Sequence, residues 1–145
     1  MNELVSVIVI ATIAGVAVTL QGNFMGVMTN ILGTRESMFI TYGSGGLLIT
    51  LLLLATGGGR LSEWRAVPPY AFTSGILGLI IVGSIGYATA RYGLLATFAV
   101  LLVAQYISAA LIDHFGLWGS PVHPIDGTRL LGMALLLVGA WLILR

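Results

Sequence analysis

The chain has 145 residues, 58% hydrophobic and 8% charged, with a net charge of +1 and no cysteine. A soluble domain carries roughly 25% charged residues, so a water-facing fold is excluded, whereas a hydrocarbon-facing surface needs no charge. The near-neutral balance leaves no electrostatic footprint for nucleic acid, and the absent thiols exclude disulfides, thiolate metal sites and cysteine nucleophiles.

A membrane span needs about 20 apolar residues. The first apolar run goes from Leu4 to about Leu32 and is interrupted by Gln21-Gly22-Asn23, which predicts a tilted or locally broken helix. Glu3 is the wrong charge for a signal peptide, so this run reads as a retained span. The second run is Met38 to Thr56, entered through a polar turn, Gly33 to Ser37. Gly57-Gly58-Gly59-Arg60 stops it, and an interfacial stretch with Trp64 and Arg65 follows. Pro68-Pro69 opens the third run, to about Ala90, and Arg91-Tyr92-Gly93 is a tight turn.

The fourth run is Leu94 to Ile112. A loop from His114 to Asp126 leads to the last span, Gly127 to Leu144, which Asp126 can cap. Arg129 and Arg145 reach from its ends to the interfaces. Spans at 4–32, 38–56, 68–90, 94–112 and 127–144 predict an all-α, polytopic membrane helix bundle, one domain over 1–145. No internal repeat is visible.

Five spans put the termini on opposite sides. One side then holds Arg60, Arg65 and Arg129, the other Arg35, Arg91 and Arg145. Because Lys and Arg near span ends set orientation, a balanced tally instructs insertion weakly. Either subtler features fix one orientation, or copies insert both ways and pair as an antiparallel homodimer. Glycines at 22, 26, 43, 45, 46, 75, 78, 83 and 86 allow close helix contacts. These contacts fall within one chain or between copies.

No Asp, Glu, Lys or Arg falls in the centre of a span. The polar groups at depth are therefore the functional candidates. Gln105 lies near the middle of the fourth run, and Ser108 follows on the same face. Gln21 and Asn23 lie in the first run, and Ser84 in the third. An amide must satisfy two donors and an acceptor, so each Gln either bonds a neighbouring helix or lines a wet cavity. Tyr106 can stack on a solute or pack in the core. Asp113 ends the fourth run and is the acidic group nearest a polar helix face. His114 and His123 read as loop residues without metal-ligand spacing. No catalytic triad, P-loop or dinucleotide fingerprint is present. The sequence therefore predicts no enzyme activity, cofactor or metal, and it excludes an ATP-driven pump within this chain.

The residues that carry a resemblance are Gln21 with the run to Leu32-Gly33, Trp64, and Gly75-Ile76-Leu77-Gly78. To these are added the block VLLVAQYISAALIDHFGLWG from Val100 to Gly119, then Arg129-Leu130-Leu131-Gly132 and Gly139-Ala140-Trp141. The chain resembles the YdcZ-type (DUF606) family of the drug/metabolite transporter superfamily, nearly end to end. The resemblance implies a five-span unit, half of a ten-span transporter, and an exporter in the bacterial inner membrane. It also implies antiparallel pairing similar to that of small multidrug resistance transporters. Those use a glutamate in the first span, where this chain offers Gln21.

The combined expectation is a secondary active exporter of a small polar or amphipathic solute, working by alternating access between two antiparallel copies in the lipid bilayer. Gln21, Asn23, Ser84, Gln105, Tyr106 and Ser108 are the expected substrate-binding residues, and Asp113 the candidate for proton or ion coupling. The alternatives are a small dual-topology channel and an accessory subunit of another membrane protein.

Overall fold

The computed structural model describes residues 2–145, with side chains from Glu3 onward. It is all-helical, with α1 (Asn2–Leu32), α2 (Thr34–Ala55), α3 (Ser74–Tyr92), α4 (Leu94–Phe115) and α5 (Gly127–Leu144). Three short 3₁₀ turns fill the connections, at Leu61–Ala66, Pro69–Thr73 and Leu117–Gly119. Among the described residues five helices are long and apolar enough to cross a membrane. Side chains such as Phe39 (79% exposed) and Ile31 (75%) project outward, while among the described residues the buried apolar core is Met25, Ile85 and Ala99. That inversion suits a solvent of hydrocarbon.

The chain divides into two compact units, one ending at Arg91 and one starting at Tyr92. In the first unit small residues set the packing. Gly22, Met25 and Gly26 form the buried stripe of α1, the spacing of one helix face. A Cβ built on Gly86 of α3 would stand 2.9 Å from the Thr29 hydroxyl of α1, and one on Gly83 2.8 Å from the Met38 sulfur of α2. Gly78 likewise abuts the Tyr42 phenol. These glycines let helix backbones approach within one chain. Gly43, Gly45, Gly46 and Gly75 face open space instead.

Two local expectations are corrected, and a third is narrowed, since of a tilted or locally broken first helix the break is absent. α1 runs unbroken through Gln21-Gly22-Asn23. Gly22 sits on the buried stripe while its polar neighbours are exposed, so their polarity does not interrupt the backbone hydrogen bonds. The polar turn at Gly33 to Ser37 shrinks to Gly33 alone, because Thr34–Ser37 already form the first turn of α2. His114 is not a loop residue but lies in the last turn of α4.

One device recurs at two helix junctions. Gly33 and Gly93 are each a one-residue link between helices, with φ/ψ of 103°/162° and 81°/165°. This region is open almost only to glycine. The Gly33 carbonyl accepts from Ser37 N–H at 3.2 Å and Ser37 Oγ at 2.7 Å. The Gly93 carbonyl accepts from Thr97 N–H at 3.3 Å and Thr97 Oγ1 at 2.8 Å. Ser37 and Thr97 are both buried.

The longer connections are held differently. Gly57, Gly58 and Gly59 all have positive φ and end α2. Arg60 then forms two hydrogen bonds to Glu63, 2.7 and 2.5 Å long. This pairing raises the Arg60 pKa. Trp64 meets Phe72 edge to face in the aromatic, Arg-containing stretch expected at an interface.

Candidate functional site

In the first unit Gln21 lines a cleft of about 380 Å³ between α1 and α2, with Phe24, Met28, Ile40, Thr41 and Ser44. The Thr41 hydroxyl donates to the Met25 sulfur at 2.6 Å, and Ser44 Oγ donates to the Thr41 carbonyl at 3.2 Å. Both hydroxyl protons are thus used locally, and the Gln21 amide brings both donors and an acceptor to this cleft.

The second unit contains a cleft of about 500 Å³ between α4 and α5. Tyr106, Ala110 and Asp113 supply the α4 wall, and Arg129, Gly132 and Met133 the α5 wall. The loop between the helices folds back onto the end of α4. His123 N–H donates to the Asp113 carbonyl at 2.8 Å, and Ser120 Oγ donates to Asp113 Oδ1 at 2.9 Å. Ile125 N–H donates to His114 Nδ1 at 3.1 Å. α5 then starts at a side-chain cap, Asp126 Oδ1 accepting from Arg129 N–H at 2.8 Å. The guanidinium of Arg129 donates to the His123 carbonyl at 3.0 Å. One loop residue, His123, therefore bonds to Asp113 on one side and Arg129 on the other.

Of the residues expected to bind substrate, Tyr106 lines the second cleft, about two helical turns from Asp113, and Gln21 lines the first. Gln105 and Ser108 are exposed on α4, Asn23 on α1 and Ser84 on α3. Arg129 was expected only to anchor a helix end. Its place in the same cleft as Asp113 follows from the α4–α5 register, which no local motif encodes.

A family model described as "Putative inner membrane exporter, YdcZ" matches residues 6–142. The chain belongs to the YdcZ family. Comparisons with curated proteins and with solved structures return no match. Membership in this family, with five membrane-capable helices, makes the chain a multi-pass inner-membrane protein of a transport class, not of an enzyme class. The clefts of this YdcZ-family chain join apolar walls to a few polar groups, as small-molecule sites commonly do.

Proposed function

We propose that the chain is a secondary active exporter of a small polar or amphipathic solute, and that its five spans act as one domain, half of an antiparallel homodimer. The observation that carries this reading beyond family membership is Gln105. It lies at the middle of α4 and is exposed on the unit that starts at Tyr92. A bare amide at that depth costs several kcal/mol by order of magnitude, so it needs a polar partner that lipid does not supply. A second copy provides one. Two inverted copies would place their Gln105 amides at one depth, next to a midplane site.

The arginines support weak insertion bias. Arg35 opens α2, Arg91 closes α3 and Arg145 follows α5, against Arg60, Arg65 and Arg129 at the opposite ends. In such a dimer the inward and outward states are equivalent by symmetry, and exchange between them moves the solute across. Gln21 and Gln105 are the principal hydrogen-bonding groups of this reading, and Asn23, Ser84, Tyr106 and Ser108 are its further candidates. Asp113 is the candidate coupling group.

Cells expressing the protein, loaded with a panel of radiolabelled amphipathic solutes, test this reading. Expression should lower retention of at least one solute, and a Gln21→Ala, Gln105→Ala double variant present at wild-type level should lose the effect. Undiminished export by that variant contradicts the assignment.

A further inference from the structure

The α4–α5 cleft carries a second charge relationship. Asp113 and Arg129 line the same cleft, yet among the described residues they form no ion pair with each other. Asp113 Oδ1 is held by the neutral Ser120 hydroxyl, and Arg129 by the neutral His123 carbonyl. Among the described residues neither charge has an ion-pair partner, the Asp126 carboxylate bonding the Arg129 backbone N–H and not its guanidinium, and both stand at one end of the cleft. Tyr106 lies seven residues before Asp113, and Leu136 seven after Arg129. Each interval is about 10 Å of helix. The cleft therefore runs from a charged mouth at the helix ends to the middle of α4.

The lining grades with depth. Ala109, Ala110 and Gly132 keep the walls low, and a Cβ added at Gly132 would meet nothing within 4 Å. Met133 and Leu136 give an apolar surface, and the flexible thioether adapts to varied shapes. A cation drawn to Asp113 meets Arg129, and an anion drawn to Arg129 meets Asp113. At short range each like-charge contact cancels part of the gain. A solute carrying both charges satisfies both groups, its ammonium on Asp113 and its carboxylate on the Arg129 fork.

We infer that this cleft admits a small zwitterion with an apolar body, head group at Asp113 and Arg129 and body directed toward Tyr106. The inference rests on the exporter reading and names its substrate class. A volume of about 500 Å³ lies within the roughly 300–1,000 Å³ of small-molecule sites.

The test uses the purified full chain in detergent with a single thiol introduced by Gly132→Cys, or by Ala109→Cys on the facing wall should the first fail to fold. The rate of maleimide labelling is measured with three probes of matched body: phenylalanine, phenethylamine and 3-phenylpropionate. Phenylalanine should slow labelling about fivefold more than either analogue, a ratio worth about 1 kcal/mol. Adding Asp113→Asn should move the preference to 3-phenylpropionate, and adding Arg129→Gln to phenethylamine.

Equal protection by all three probes, or none by any, overturns the inference. So does labelling that is already slow in phosphatidylethanolamine nanodiscs and indifferent to phenylalanine, since a lipid head group is then the occupant. The readout is binding. Lost export with protection intact counts against the exporter reading alone, and export without protection counts against the cleft alone.

Discussion

Gly26 of α1 and Thr89 of α3 are in direct contact: a Cβ built on Gly26 would stand 2.8 Å from Thr89 Cγ2 and 3.3 Å from Thr89 Cβ. Threonine is stiff at χ1, and the Ala90 backbone nitrogen lies 3.6 Å from the same built Cβ. Relief of a clash here requires the helices to part. Gly26→Ala should therefore destabilise the protein by about 1–3 kcal/mol, the usual cost of overpacking. Gly83→Ala, which meets the flexible Met38 side chain, should cost less. Gly43→Ala, which meets nothing within 4 Å, should stabilise α2 by roughly 0.5–1 kcal/mol through helix propensity. Unfolding midpoints in mild detergent rank the three, and a Gly26→Ala midpoint at or above that of Gly43→Ala would contradict this packing.

The one-residue links make a separate demand, on backbone conformation. A Cβ at Gly93 meets nothing within 4 Å, so Gly93→Ala isolates the cost of its φ of 81°. That cost is about 1–3 kcal/mol. Gly33→Ala adds crowding by the Glu36 carboxylate, 2.8 Å from the new Cβ, and should be the worse of the two. Equal stability of Gly93→Ala and wild type in the same assay would show that the link relaxes into an ordinary conformation.

Much of the fold is legible from apolar run lengths, because lipid demands continuous helices of span length. The Asp126 cap is legible too, since a carboxylate before an apolar run is a local signal. What escapes depends on which way a helix faces. Gln21-Gly22-Asn23 looks like a break in the sequence, but in α1 the glycine faces inward and the polar pair outward. The links at Gly33 and Gly93 are written as a glycine with Ser or Thr four residues on, a pattern too short to stand out. Gln21 and Tyr106 could be picked out by polarity at depth, and Asp113 as an acidic group at the end of a span. Arg129 could not, because its relation to Asp113 comes from two helices and the loop through His123.

The cap on α5 gives a prediction that is independent of the packing argument. Asp126→Ala removes the acceptor for Arg129 N–H and should lower stability by about 0.5–2 kcal/mol. Asp126→Asn keeps an acceptor and should restore most of the loss. Both are read from the detergent unfolding midpoint. The exposed Arg60–Glu63 pair is the control: exposed ion pairs contribute little, so Glu63→Gln should leave the midpoint unchanged.

The proposed antiparallel arrangement is tested most directly through the absence of cysteine. A single cysteine appended after Arg145 is labelled in intact cells with a membrane-impermeant maleimide, before and after permeabilisation. Dual insertion predicts labelling of about half the molecules in intact cells, as the three-to-three arginine balance leads one to expect, and of all of them after permeabilisation. Labelling of all molecules or of none in intact cells would contradict the antiparallel homodimer and show that the chain inserts in one orientation.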